Sequence, residues 1–115
     1  MTHNFRELKI WKDGIHLTKE IYELSVKLPE DEKYGLKSQI KRSSSSIPTN
    51  IAEGSGRGTV KDFNHFLNMS LGSSYELETQ LVLINLLFDV NSDEIVLKIN
   101  ELQRMIKGFK KSLGE

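Results

Sequence analysis

Cationic residues at helical spacing are the side chains of this sequence best suited to bind phosphate. Lys33, Lys37 and Lys41 recur at every fourth position, and Arg42 directly follows them. On a helix this spacing places the charges along one face. There they can neutralise a nucleic-acid backbone without base-specific geometry. The alternative is that the same residues form an ordinary solvated face.

A glycine-rich stretch supplies a further candidate cation. Gly54, Gly56 and Gly58 enclose Arg57. Thr59 then provides the predicted N-cap of the next helix, and the start of a helix attracts anions. The stretch follows a predicted helix instead of a strand, and it lacks the Lys-Ser/Thr pair of a P-loop. It therefore predicts a turn between helices and not a nucleotide site.

Residues suited to catalysis or metal binding are scattered along the chain. A di-iron site in a helical bundle needs two Glu-x-x-His motifs, and the nearest match here is the single pair Asp62 and His65. The other histidines, His3 and His16, have no evident carboxylate or nucleophile partner, and cysteine is absent. We therefore predict no enzyme activity, no metal site and no cofactor.

The chain of 115 residues fits a single domain, residues 1–115. Its 16 basic and 16 acidic residues cancel, which argues against a general polyanion binder. The charges are segregated, because residues 62–97 contain six acidic residues and no Lys or Arg, whereas residues 98–111 are mainly basic. The chain has neither a secretory signal pattern nor an apolar run of bilayer-spanning length. We therefore expect a cytoplasmic protein without a membrane partner.

Apolar residues at three-and-four spacing predict four amphipathic helices. The segments run from about Phe5 to Leu28, Glu32 to Glu53, Thr59 to Phe88 and Asp93 to Leu113. Pro48 lies inside the second segment, and the preceding serines can bond the carbonyl groups that it frees, so we expect one kinked helix. Short turns join the segments, which predicts an all-α, antiparallel, up-down four-helix bundle.

The first predicted helix has more apolar surface than a single core-facing stripe requires. Two stripes together span roughly 200° of its circumference. One stripe contains Leu8, Trp11, Ile15, Ile21 and Tyr22, and the second contains Ile10, Leu17, Ile21, Leu24 and Leu28. The third helix is also apolar nearly all round from Leu81 to Phe88. Since large exposed apolar patches mark association, we expect a homo-oligomer with Ile10, Leu17, Ile21 and Leu24 at the subunit interface. Cover by loops is the alternative.

Residues 41–57 carry the most specific local signal, Lys-Arg-Ser-Ser-Ser-Ser-Ile-Pro-Thr-Asn-Ile-Ala-Glu-Gly-Ser-Gly-Arg. The run resembles the signature of the four-helix bundle proteins encoded in intervening sequences of bacterial 23S ribosomal RNA genes, once labelled S23 ribosomal proteins. The similarity extends to residues of the first and third helices and covers nearly the whole chain. Ser43 and Ser44 stand where the family usually has alanines.

The resemblance implies a helical bundle that assembles into a ring, typically a pentamer. The family includes the accessory variability determinant of diversity-generating retroelements, a basic ring that binds nucleic acid and a reverse transcriptase. We therefore expect a bacterial, non-enzymatic, RNA-associated homo-oligomer. Its candidate contacts with RNA or DNA are Lys33, Lys37, Lys41, Arg42 and Arg57. The alternative is a protein-binding scaffold, for example an accessory subunit for a reverse transcriptase, that does not touch nucleic acid.

The role of the family motif stays open between structure and ligand binding. Its central residues are Pro48, Asn50, Glu53 and Gly54. The polar side chains that follow the proline could bond backbone groups freed by the kink. Glu53 also precedes Arg57 by four residues, a spacing that predicts an ion pair orienting the turn.

Overall fold

The computed structural model describes residues 3–32 and 35–114, and every regular element in these ranges is helical. The α-helices are α1 (Lys9–Ser25), α2 (Leu36–Ser55), α3 (Val60–Phe88) and α4 (Asp93–Ser112), with short 3-10 turns at Phe5–Glu7 and Glu30–Glu32. Helix α2 packs against α1 and α3, and α4 closes the bundle against the same two helices. Helices α1 and α3 therefore occupy opposite corners, and the predicted four-helix bundle is confirmed.

The ends of α3 show how local sequence sets the antiparallel path. Thr59 caps the helix as predicted, because its Oγ1 accepts a hydrogen bond from the amide of Asp62 at 3.1 Å. Asp89 ends the helix in the left-handed conformation, with φ at 52°. In the following turn, the buried Ser92 donates from Oγ to the Leu81 carbonyl at 3.1 Å. This bond pins the turn to the last part of α3 and directs α4 back along it.

Helix α2 continues through Pro48 without a break, as the sequence predicts. A proline at this position leaves the Ser44 carbonyl without its helical donor. The neighbouring serines do not supply the missing donor. Instead, Thr18 of α1 places its Oγ1 3.1 Å from the Ser44 oxygen and 2.8 Å from the Gly14 oxygen, so that one hydroxyl proton serves two carbonyl groups. The carbonyl that Pro48 leaves free in α2 is therefore bonded by a side chain of α1 and not by one of α2.

The core is built mainly from isoleucine and leucine side chains contributed by all four helices. Its fully buried members are Ile21, Ile40, Ile47, Ile51, Leu67, Leu77, Leu81, Ile84, Ile99 and Ile106. Removing this much apolar surface from water contributes more than any other interaction to holding the bundle together. The predicted core faces of α2, α3 and α4 all contribute to it.

The two apolar stripes of α1 have the opposite orientation from the one we predicted. The stripe assigned to the subunit interface points into the bundle, with Ile10 and Leu17 each 4% exposed, Ile21 0% and Leu24 6%. These four residues are part of the monomer's own core, which corrects their assignment to an interface. The other stripe faces outward at Ile15 and Tyr22. The sequence showed the width of the apolar surface but not which side faced the core.

Candidate nucleic-acid and subunit interfaces

The basic stripe predicted on α2 is partly engaged by groups of the same chain. Lys33 lies outside the described residues. The Nζ of Lys37 is 3.3 Å from Oε1 of Glu30, and the lysine side chain is only 15% exposed. The Nζ of Lys41 lies 5.1 Å from the ring centroid of Tyr22, a cation–π contact between α2 and α1. Two candidate cations thus have partners within the fold.

Arg42 is the exposed cation of this region. It forms no ion pair with any residue in the two described ranges. Its side chain lines a groove between α2 and α3 whose other walls are polar. The groove is lined by Gln39, Arg42, Ser43, Ser46, Glu76 and Gln80. Because the carboxylate of Glu76 shares the groove with Arg42, the region is not an unbroken positive surface.

Arg57 is held at the turn between α2 and α3. Its Nη2 lies 3.7 Å from Oε2 of Glu53, which confirms the ion pair predicted from their spacing. The guanidinium also sits 4.6 Å from the ring centroid of Phe66. Both charged side chains are about half exposed, so the ion pair itself contributes only ~0–1 kcal/mol. The contacts orient Arg57 along the surface at the start of α3.

Two central motif residues of α2 make structural contacts, Gly54 with α3 and Asn50 within α2 itself. A Cβ atom at Gly54 would lie 2.8 Å from both Cδ1 of Phe63 and Cβ of Phe66, so only glycine permits this approach of α3. Asn50 donates from Nδ2 to the Ser46 carbonyl at 2.8 Å. These contacts support the structural interpretation of the motif.

Hydroxyl groups join α2 to α3 along the same face. Ser43 donates to Oε1 of Gln80 at 2.8 Å, and Ser46 is hydrogen-bonded to the hydroxyl of Ser73. Ser70 of α3 reaches the Ile47 carbonyl at 3.0 Å. Of the two serines that stand in place of alanine, Ser43 has Gln80 as its partner on α3, whereas Ser44 donates to the Lys41 carbonyl of its own helix at 3.0 Å. Both buried hydroxyls are therefore satisfied. Sequence reasoning noted these serines but did not predict the partner of Ser43 on α3.

The outer surface of α3 is apolar near its C-terminal end. Four residues of its last turns point away from the core, with exposures of 47% for Val82, 41% for Leu83, 77% for Leu86 and 63% for Leu87. Leu81 and Ile84, which neighbour them in sequence, are fully buried. The helix is thus apolar on both sides here, as the sequence indicates. An exposed cluster of this kind is typical of an association surface.

A second apolar surface lies on α1, at the opposite corner of the bundle. Ile15 and Tyr22 are 41% and 47% exposed, and Val26, just beyond the helix, is 77% exposed. We call this set the α1 patch, and Val82, Leu83, Leu86 and Leu87 the α3 patch. The two patches differ in composition and lie on helices at opposite corners of the bundle.

The described part of the chain has no group of three or more His, Cys, Asp or Glu side chains placed to hold a metal ion. Two clefts between α1 and α4 share Glu20 and contain further acidic residues. In one of them, Nζ of Lys98 is 2.7 Å from Oε1 of Glu20. The hydrogen bond and charge of Glu20 raise the pKa of Lys98 above 10.5. That shift keeps the lysine charged, which is the behaviour of a surface ion pair. No helix among residues 3–32 and 35–114 has the length and apolarity to cross a bilayer.

Comparison with known proteins agrees with this architecture. The crystal structure of a protein of unknown function from the S23 ribosomal protein family of Bacteroides thetaiotaomicron superposes with a TM-score of 0.81. The two chains are 24% identical, and the match covers 89% of this chain and 98% of that one. No curated protein matches the chain. The model of the 23S rRNA-intervening sequence protein family matches residues 6–108, and the chain therefore belongs to that family.

Proposed function

We propose that this protein is a non-enzymatic homo-oligomer of the bacterial cytoplasm that associates with RNA. The observation that carries the proposal is the α3 patch, whose most exposed member, Leu86, keeps 77% of its surface in the isolated chain. Leaving four neighbouring apolar side chains in water is unfavourable. Burial against another molecule removes that cost.

A second copy of the same chain is the occupant that we propose for the α3 patch. The chain itself offers a different apolar surface, the α1 patch, at the opposite corner of the bundle. When two different patches on opposite sides of a subunit pair with each other, the contact is head-to-tail, and a rotation that closes gives a ring. The family resemblance implies five subunits for such a ring.

Association with RNA is the second part of the proposal. The family takes its description from an intervening sequence of 23S rRNA, and Arg42 is an exposed cation without an ion pair in the described ranges. A ring would repeat each cation around its circumference, which multiplies weak contacts into useful affinity.

A protein-binding scaffold without nucleic-acid contact is the competing function. The specific observation in its favour is that three candidate cations already have partners within the chain. Lys37 contacts Glu30, and Lys41 contacts Tyr22. Arg57 contacts both Glu53 and Phe66. The carboxylates of Glu30 and Glu53 offset part of the charge of Lys37 and Arg57, and the ring of Tyr22 restricts where Lys41 can reach. The scaffold therefore predicts the same oligomer with no measurable affinity for RNA at low salt.

The solution mass, measured by light scattering with and without a structured RNA, tests both parts. We expect a particle of about five times the 13.2 kDa of one chain, gaining mass when RNA is added at low salt. A ring whose mass does not change with RNA would support the scaffold instead. A monomer at all concentrations would contradict the proposed association.

Two charge substitutions test the head-to-tail arrangement. Leu86→Glu disables the α3 patch and Val26→Glu disables the α1 patch, and we expect each variant alone to be monomeric. An equimolar mixture should form dimers, because one intact patch remains on each partner. Val60→Glu is the matched control, since it makes the same change on α3 outside the patch and should leave the ring intact. If mixing restores nothing, the contact is not head-to-tail between these two patches.

A further inference from the structure

The C-terminal half of α4 carries a group of cations outside any ion pair among the described residues, and one acid, Glu101, shares a surface cleft with Arg104. The group consists of Arg104, Lys107, Lys110 and Lys111. None of them forms an ion pair with a residue in the two described ranges, where the ion pair of α4 is the one between Lys98 and Glu20. This group differs from the α2 stripe, whose Lys37 is paired with an acid. The positive charge of α4 therefore remains available to a ligand.

Neutral groups of α3 hold two of these cations in place. Lys110 donates from Nζ to Oδ1 of Asn68, and Nζ of Lys107 lies 5.9 Å from the ring centroid of Tyr75. An amide and a phenol ring orient the ammonium groups without cancelling their charge. Tyr75 itself is 45% exposed, so an aromatic face stands beside the cations. A cationic surface next to an exposed aromatic ring is the usual construction of a single-strand binding site.

A glycine lies in the middle of this cationic surface. Gly108 is exposed, and a Cβ atom built on it would meet nothing within 4 Å. Glycine is a poor helix former, and no contact within the described chain requires it at this position. Gly108 lies one helical turn after Arg104 and about one turn before Lys111 on the exposed side of α4. The absence of a side chain leaves the helix surface bare between the cations, which permits close approach of a polyanionic strand.

We propose that this face of α4, together with Tyr75, binds single-stranded RNA. Arg104, Lys107 and Lys111 contact successive phosphates, and Tyr75 provides a platform on which a base stacks. The inference rests on the proposed association with RNA and moves its contact surface from α2 to α4. The site was not among the residues that the basic spacing on α2 indicated.

Fluorescence anisotropy with a labelled single-stranded oligouridylate tests the assignment across a range of salt concentrations. The variant Arg104→Gln/Lys107→Gln/Lys111→Gln should lose affinity by about tenfold or more at low salt. Its slope of log affinity against log salt should become shallower by about 2, since each single-stranded phosphate contact contributes about 0.7. Tyr75→Leu should weaken binding by about tenfold while leaving the salt slope unchanged.

Two control variants locate the site. Lys12→Gln/Lys19→Gln/Lys27→Gln removes the same charge from exposed positions on and just after α1 and should bind RNA nearly as tightly as the wild type. Lys41→Gln/Arg42→Gln removes the cation of α2 that supports the proposed association, and it should lose less affinity than the α4 variant does. If this α2 variant shows the loss and the α4 variant does not, the assignment to α4 is wrong while the association with RNA stands. If the wild-type protein itself does not bind, the proposed association with RNA fails. Far-ultraviolet circular dichroism confirms that each variant is folded.

Competition with poly-glutamate distinguishes RNA from an acidic protein partner. A site that uses phosphate contacts and base stacking should hold the oligouridylate against a large charge excess of the peptide. If poly-glutamate displaces RNA at equal charge and Tyr75→Leu has no effect, the surface binds acidic chains in general. That outcome would overturn the assignment to single-stranded RNA.

Discussion

Helices α2 and α4 both pack between α1 and α3, but they do so in different ways. Helix α2 approaches its neighbours closely, because glycine and serine residues line its contacts. Helix α4 meets the same neighbours through larger side chains, including Ile99, Leu102, Gln103 and Ile106, and stays farther away. Helix α2 is therefore packed more closely against the bundle than α4.

The contacts across these helices differ in chemistry as well as in distance. Hydroxyl groups of α1 and α3 bond directly to backbone carbonyls of α2, at Ser44 from Thr18 and at Ile47 from Ser70. Helix α4 is linked by long side chains instead, such as Gln103, which donates from Nε2 to Glu78 at 3.0 Å. The comparison teaches that buried residues of the motif on α2, such as Gly54 and Ile47, make close contacts with α3.

A methyl group added at two helical glycines should sharpen this contrast most. Gly54→Ala should lower the free energy of unfolding by about 1–3 kcal/mol, since its Cβ would meet Phe63 and Phe66 at 2.8 Å. Gly72→Ala, at an exposed position of α3 with nothing within 4 Å, should instead raise it by about 0.5–1 kcal/mol through helix propensity. Urea denaturation of the two variants measures both values. Equal effects would contradict the close approach at α2.

The link between Thr18 and the carbonyl freed by Pro48 should have a smaller effect. Thr18→Val removes the hydroxyl at nearly constant volume and should cost about 1 kcal/mol, because the Ser44 carbonyl then lacks a donor. In the background of Pro48→Ala, the new backbone N–H can serve that carbonyl, so the same change should cost less. A double-mutant cycle by urea denaturation measures the coupling. Strict additivity would show that the hydroxyl does not compensate for the proline.

The ion pair between α1 and α4 should have the smallest effect. Glu20 raises the pKa of Lys98 mainly through its hydrogen bond, so Glu20→Gln should bring that pKa down towards 10.5. Because the pKa is raised on folding, the pair stabilises the bundle fully below about pH 10.5, and the effect is lost as the pH rises through the folded value. Titration of the Lys98 side chain by NMR measures the shift. Glu94→Gln is the control, and it should shift the pKa less.

The sequence predicted the fold because the apolar residues of α2, α3 and α4 recur at a spacing that fits one face of an α-helix. It also predicted the N-cap at Thr59 and the ion pair of Glu53 with Arg57, since both depend on residues three or four positions apart. These are local features, and local geometry is what a helical repeat determines. The continuous path of α2 through Pro48 was also predicted, but the expected reason was wrong, because the donor to the Ser44 carbonyl comes from Thr18 on α1 and not from the neighbouring serines.

Features that depend on contacts between helices could not be predicted in the same way. The apolar surface of α1 is too wide to identify its buried side, so Ile10 and Leu17 were assigned to the exterior. The partners of Lys37 and Lys41 lie in the 3-10 turn and on α1, beyond the reach of a single-helix pattern. The charge run on α4 was visible in the sequence. Its significance depends on the absence of acidic partners among the described residues, which only the fold shows.

The looser contacts of α4 also bear on how the bundle opens. A helix held by fewer close contacts forms the natural unit of partial unfolding, and its amides exchange with solvent before those of the remaining three helices. A strand bound across Lys107 and Tyr75 would tie α4 to α3. Bound RNA would then suppress the partial unfolding of α4, so that α4 becomes more rigid as more of the protein is bound to RNA.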